Sequence, residues 1–233
     1  MITEQFVLQA KQMNITITKT MQEQFEYYYK KLVEYNKKVN LTAITEKQEV
    51  YIKHFLDSIV IASELRQNAT LVDVGTGAGF PSLPLKIVRP DLRVVMVDSL
   101  NKRVVFLQEL IKELNLNNIT AVHARAEDFV KTNREQFETI VARAVASLNT
   151  LSEYCLPFVK VGGFFYAYKS SHVEEELNGA DAAIKLLGGV VVQKKSVTLP
   201  QTQIERSIVI IKKVKSTPKQ YPRDKNRAKT QPL

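Results

Sequence analysis

Residues 71–81 read LVDVGTGAGFP, and residues 82–90 continue SLPLKIVRP without a break. Three of the chain's eight glycines, Gly75, Gly77 and Gly79, fall at alternate positions between a short apolar run and a helical pattern. A strand ending in Asp73-Val74-Gly75, then a glycine-rich turn, then a helix, is where a doubly wound sheet receives a ligand at the carboxyl ends of its strands. A Cβ at such positions would block both the turn and the ligand.

Spacing decides which ligand. A phosphate-cradling nucleotide loop requires Gly-Lys-Ser or Gly-Lys-Thr after four intervening residues, and none occurs. A dinucleotide fingerprint sets its third glycine at position 80, where this chain has Phe80, whose bulk at the helix start would obstruct a pyrophosphate. Glycine at every second position, with an acidic residue two before the first, resembles motif I of the class I S-adenosylmethionine-dependent methyltransferases, D/E-x-G-x-G-x-G.

Downstream of the turn, short β-branched runs alternate with helical patterns. Strands are predicted over 70–74, 93–99, 119–126 and 137–145, and helices over 81–89, 101–116, 127–133 and 148–160. That alternation argues a parallel sheet with helices on both faces. A strand over 162–170, a helix over 172–188 and two closing strands over 190–199 and 206–214 follow. The loop between the closing strands is too short for a crossover helix, so the pair must be antiparallel. Upstream, Met21, Phe25, Leu32, Tyr35 and Val39 mark an amphipathic helix over 20–39 with Thr20 and Glu23 as a capping box. Thr45 with Gln48 then caps a second helix reaching about Leu65.

The expected fold is therefore α/β: a Rossmann-like class I methyltransferase, its seven-stranded sheet mostly parallel with one antiparallel strand, preceded by an N-terminal helical extension. Residues 1–66 form the helical extension, 67–214 the methyltransferase domain and 215–233 a basic C-terminal tail. There is no internal repeat.

Asp98 ends the second strand twenty-three residues after Gly75, where a carboxylate can accept both ribose hydroxyls or cap the helix that follows. Ala126 and Glu127 fall at the next strand end and read either as an adenine pocket or as a helix start. Arg143 follows the apolar run TIVA at the mouth of the cleft and needs an anionic partner: a ligand, or an ion pair with Asp73 or Glu127.

The formal charge of +9 is uneven. From Lys212 onward eight basic residues face one acid, so that segment holds +7 of the +9. Poor in apolar residues, it is expected not to pack, and serves either as a solubilising tail or as a surface for a polyanion such as RNA. A chain of 233 residues can bury a core unaided, and Cys155 alone forms no internal bridge. With no secretory opening and no apolar run of bilayer length, a soluble, cytoplasmic setting without membrane contact is expected.

YNKKVNLTAIT, HFLDSI, DVGTGAGFPSLPLKI, VDSLNKRVVFL, RAE, ARAVA and TPKQYPR, taken in that order, resemble the RsmG (GidB) family of small-subunit rRNA methyltransferases over about residues 25–223. The resemblance implies transfer of a methyl group from S-adenosylmethionine to N7 of one guanosine in the decoding-region loop of bacterial 16S rRNA. It carries cofactor contacts onto Gly75, Phe80, Ala126, Glu127 and Arg143; the strand-end argument adds Gly77 and Asp98. Thr76 stands where relatives often have alanine or serine.

Guanine N7 has an in-plane lone pair and no proton, and the sulfonium methyl is already activated. No general base is needed, and positioning can supply most of the acceleration. His54, His123 and His172 accordingly lack metal-ligand spacing, and no metal is expected. His54 reads as a capped or core histidine, and Asn40-Leu41-Thr42 as a capping loop or a cover for the site. An arginine gripping O6 and N7 together would mask the nucleophile, so Lys169 and Arg143 are the positioning candidates for O6 or a flanking phosphate of an unstacked base. Lys215, Lys219 and Arg223 are the expected phosphate contacts. The expected partner is 16S rRNA or the small ribosomal subunit, as an assembly intermediate, met by a monomer. The competing readings are a nicotinamide oxidoreductase, which the glycine spacing opposes, and an RNA-binding protein whose cofactor pocket serves stability alone.

Overall fold

A computed structural model describes residues 2–143, 146–171 and 173–233. Seven strands form one sheet: β1 (Thr70–Val74), β2 (Arg93–Asp98), β3 (Ile119–His123), β4 (Phe137–Arg143), β5 (Val159–Ser170), β6 (Gly189–Thr198) and β7 (Glu205–Lys213). Their order is β3-β2-β1-β4-β5-β7-β6. Pairings from β3 through β5 are parallel, while β7 runs antiparallel to both β5 and β6. One reversed strand, inserted next to the edge, is what the sequence pattern predicts.

Strand periodicity of two divides the apolar residues between the faces. Leu71, Met96, Val141, Tyr166 and Ile208 join one core with the N-terminal helices, and Val72, Val97, Ile140, Phe165 and Val209 join the other. The first core holds α1 (Ile2–Gln12), α2 (Lys19–Asn36), α3 (Lys47–Val50), α4 (Ser82–Val88) and α5 (Asn101–Glu113). Against the second lie α6 (Ala126–Asn133), α7 (Leu148–Cys155) and α8 (Glu174–Leu186).

At the N-terminal end the structure adds a helix ahead of the one expected over 20–39 and corrects two caps. Helix α1 is separate from α2, and Phe6 seats it edge-on against Phe25 at 4.9 Å and Tyr51 at 5.4 Å. Thr18, not Thr20 with Glu23, caps α2, its hydroxyl accepting from the Met21 N–H at 3.2 Å. Glu46, not Thr45 with Gln48, caps α3, its carboxylate accepting from the N–H groups of Gln48 and Glu49 at 3.0 and 2.8 Å. Beyond α3 the chain widens into a π-helical stretch, Tyr51–Leu56, and tightens to a 3₁₀ turn, Ile59–Ile61.

The largest correction concerns residues 215–233, which pack. Thr217, Tyr221 and Ala228 are buried, and a short helix α9 (Arg227–Thr230) lies against α7. Charged anchors replace the missing apolar ones. The Arg134 guanidinium donates to the carbonyls of Tyr221, Thr217 and Pro218 at 2.7, 2.8 and 2.9 Å. Among the described residues no helix is long and apolar enough to cross a membrane.

Candidate active site

The glycine turn after β1 is held from inside. The N–H groups of Gly75 and Thr76 donate to the Val97 carbonyl, those of Gly79 and Phe80 to the Thr76 carbonyl, and that of Gly77 to Asp98 Oδ2 at 2.9 Å. Asp73, fully buried, takes the Ser82 N–H at 3.2 Å and the hydroxyls of Ser82 and Thr76 at 2.6 and 2.8 Å, all on Oδ2. The first N–H of α4 is thus already met by a carboxylate. A diphosphate would find spent donors and an acidic neighbour here. Burial lifts the Asp73 carboxyl to about 7 against the pull of those hydrogen bonds. Its Oδ1 has no hydrogen-bond partner among the described residues.

At the strand tips a cleft of about 410 Å³ is lined by Val74, Gly75, Asp98, Leu100, Arg103, Ala126, Glu127, Leu151 and Tyr154, among others. Asp98 is buried, each carboxylate oxygen accepting one backbone N–H, from Gly77 and from Leu100, both at 2.9 Å. Both oxygens keep a lone pair for a diol. Two further lining residues carry orphaned polar atoms: Glu127 Oε1 and Arg103 Nε are buried without a hydrogen-bond partner among the described residues. The nearest cation to Glu127 Oε1 is the Arg125 guanidinium at 3.7 Å. Buried polar groups are seldom left so. The chemistry of this set suits an adenosyl group, with a carboxylate for an exocyclic amine in Glu127, one for a ribose diol in Asp98, and apolar walls in Leu100 and Leu151.

Phe80 and Arg143 lie elsewhere. Phe80, 6% exposed, directly precedes the N-cap of α4, but its ring stacks on His54 at 4.4 Å and on Tyr28 at 5.5 Å, so its bulk is turned away from the helix entry. Apolar contact with α2 outweighs exposure at the cleft. Arg143, its guanidinium 4.9 Å above the same ring, pairs with Asp57 Oδ2 at 3.0 Å, not with Asp73 or Glu127. Arg206 holds the other Asp57 oxygen at 3.0 Å.

Arg143 also donates to His54 Nδ1 at 3.3 Å, which leaves Nε2 to donate to the Thr42 hydroxyl at 2.8 Å. Burial and the guanidinium together hold the imidazole down to about 3, so His54 is neutral. Asn36 Oδ1 fixes the Leu41-Thr42 loop by accepting from both N–H groups at 2.8 and 3.0 Å. His54 therefore ties the loop before α3 to the tip of β4.

These residues line a second hollow of about 710 Å³, with Lys53, His54, Asp57, Arg143, Lys169 and Arg206 among its walls. Lys169 donates to the Ala146 carbonyl at 2.6 Å and pairs with Glu176 at 2.5 Å. Ala146 borders both this chamber and the cleft. His123 donates its Nε2–H to the Ser99 carbonyl at 3.0 Å; His172, with Ala144 and Val145 of the ARAVA string, lies outside the described residues. Of the expected phosphate contacts, Lys215 and Lys219 are exposed, whereas Arg223 grips the fully buried Glu153 through two bonds, at 2.9 and 2.6 Å. No cluster able to hold a metal occurs among the described residues.

Asp57, Arg206 and Glu176 were not anticipated. Asp57 sits inside the HFLDSI string, and that string is the one signal that could have flagged it.

The family model described as "GidB: rRNA small subunit methyltransferase G" matches residues 21–208. The chain is 48% identical over 236 residues to the ribosomal RNA small subunit methyltransferase G of Lactobacillus helveticus, covering 99% of this chain and 98% of that one. It is 53% identical over 227 residues to the protein of that name from Limosilactobacillus reuteri, with 94% of each chain covered. Among solved structures, M. jannaschii TYW2 in complex with AdoMet shares the fold with a TM-score of 0.58 at 14% identity, over 74% of this chain and 80% of that chain. The precorrin-6y C5,15-methyltransferase of Geobacter metallireducens does so with a TM-score of 0.52 at 15% identity, over 74% and 92%. With its glycine turn, cleft and full-length relatives in agreement, the chain belongs to the GidB family, rRNA small subunit methyltransferase G.

Proposed function

We propose that the protein transfers a methyl group from S-adenosylmethionine to N7 of a guanosine in bacterial 16S rRNA. The observation that carries this reading is the shared wall at Ala146 between a cleft with orphaned polar atoms and a cation-lined chamber. Bound S-adenosylmethionine supplies an activated methyl on its sulfonium. Everything else falls to the chain.

On the cleft side Gly75, Gly77, Asp98, Ala126 and Glu127 hold the adenosyl group. Phe80 and Arg143 act from behind, as the floor and brace between cleft and chamber. On the chamber side the base enters unstacked, and Lys169 with Glu176 meets its Watson–Crick edge: the ammonium donates to O6, the carboxylate accepts from N1–H. N7 stays uncovered, and because it bears no proton no residue has to remove one. Positioning supplies the rate.

The three segments then divide the work. Residues 1–66 and 67–214 wall the chamber between them, 67–214 build most of the cleft, and 215–233 close its far side, with Lys215 and Lys219 reaching RNA phosphates. We place the reaction in the cytoplasm, by a monomer acting on the small subunit or an assembly intermediate of it.

Labelled S-adenosylmethionine incubated with the protein and small subunits from cells lacking it is expected to yield labelled 7-methylguanosine on digestion of 16S rRNA. No label in RNA, or label on another atom, overturns the proposal. Lys169→Ala is expected to reduce turnover on the same substrate; unchanged turnover would reduce the lysine to a partner of Glu176.

A further inference from the structure

Of the exposed charge, cavities and buried ionisable groups in this molecule, the C-terminal segment carries the furthest-reaching consequence. It is fastened at three points by charged side chains. Besides the Arg134 clamp, the buried Lys213 ammonium donates to the Leu156 carbonyl at 2.6 Å and to the Thr217 hydroxyl at 2.7 Å, beside Glu135 at 3.1 Å. Arg223 adds its backbone N–H, at 2.8 Å, to the two guanidinium bonds on Glu153.

Past Arg223 the chain turns back over α7. The Thr150 hydroxyl donates to the Ala228 carbonyl at 2.9 Å, the Asn149 amide to the Leu233 carbonyl at 3.2 Å, and the Tyr154 hydroxyl to Asn226 Oδ1 at 3.3 Å. Asn226 adopts a left-handed backbone, φ 64°. That turn sets Asn226 and Lys229 on the lining of the same cleft as Gly75, Asp98 and Glu127. Asp224 is engaged by Lys131 at 3.6 Å, while Lys229 makes no ion pair with any described residue.

We infer that residues 224–233 are the outer wall of the adenosyl cleft and that Asn226 and Lys229 contact the bound cofactor. The inference rests on the proposed use of the cleft for S-adenosylmethionine. The strand tips and α6 supply one side of the ligand's surroundings; the segment that charge alone assigns to RNA supplies the other. A ligand enclosed on both sides loses more water-exposed surface and binds more tightly.

The test is calorimetry with S-adenosylhomocysteine, the demethylated product, on the full chain and on Asn226→Ala, Lys229→Ala and a chain ending at Arg223. The point variants are expected to weaken binding about threefold to tenfold and the shortened chain more, with Lys185→Ala, exposed on α8 and outside the cleft lining, matching the wild type. Wild-type affinity in both point variants overturns the inference, whether or not the shortened chain folds. Should the wild type itself bind no S-adenosylhomocysteine, the use of the cleft fails, and with it the inference. Tight wild-type binding with unaffected variants removes the wall's role alone.

Discussion

Arg143 at the tip of β4 and Asp57 beyond the π-helical stretch are 86 positions apart and meet at 3.0 Å, with Arg206 on the remaining carboxylate oxygen. The Asp57 and Arg143 side chains are 4% and 12% exposed, so neither charge can be left alone cheaply. Asp57→Ala would leave two guanidiniums facing each other in a poorly solvated chamber. The expected loss is about 3–5 kcal/mol in urea unfolding, and Asp57→Ala with Arg143→Ala should lose less than the sum of the two alone.

Two glycines of the turn are required for different reasons, and substitution should separate them. A Cβ on Gly79, at φ 101°, would meet the Tyr28 hydroxyl at 2.8 Å and Leu107 Cδ2 at 2.9 Å. Gly79→Ala is therefore expected to lower the melting temperature strongly. A Cβ on Gly77, at φ 63°, meets nothing within 4 Å. Gly77→Ala should cost only the left-handed strain of about 1–2 kcal/mol, with any larger effect appearing in affinity for S-adenosylhomocysteine.

Asp73 and His54 push the pH dependence of stability in opposite directions. The Asp73 carboxyl is raised from 3.8 to about 7 in the fold, so its contribution is full below pH 4 and lost as pH rises through 7. The His54 imidazole is lowered from 6.5 to about 3, so its contribution is full above pH 6.5 and lost as pH falls toward 3. Each is worth on the order of 4 kcal/mol across its window. Unfolding free energies at pH 4, 5.5 and 7 should show the difference between Asp73→Asn and wild type growing with pH; His54→Gln should show the reverse trend.

Salt dependence distinguishes the tail's lysines from its arginine. Lys219 is exposed, and Lys219→Ala is expected to lower the slope of log Kd against log salt for RNA by about 0.7–0.9, the value of one phosphate contact. Arg223→Ala strands the fully buried Glu153 carboxylate and should appear first as a lower melting temperature. An unchanged melting temperature together with a reduced slope would return Arg223 to the RNA surface.

The sheet and its glycine turn were legible because their signals are local: alternation of β-branched residues, and three glycines two apart. The reversed β7 followed from the short loop before it. Contacts between distant segments were not legible in that way. Asp57 and Arg143 carry no shared pattern, and nothing in IVARAVA distinguishes Asp57 as a partner from Asp73 or Glu127. Caps slipped by one or two residues because Thr18 and Thr20 are chemically equivalent candidates whose choice depends on backbone angles, while Glu46, which caps α3 in place of Thr45, is not one of the usual cap residues. The packing of residues 215–233 escaped notice because hydrophobic periodicity is the usual sign of packing, and this segment is fastened by Arg134, Lys213 and Glu153 instead.

The stretch Tyr51–Leu56 closes its turns one residue wider than an ordinary helix. That surplus residue lets six consecutive positions serve two customers, Tyr51 and Phe55 entering the aromatic core while Lys53 and His54 turn toward the chamber. Deleting Ile52 would restore regular winding and leave Asp57 and everything beyond it in phase, but would take away the extra width that turns Lys53 and His54 to the chamber while Tyr51 and Phe55 stay in the core. Tolerance of length in this helix, rather than of residue type, is where the enzyme has least freedom to drift.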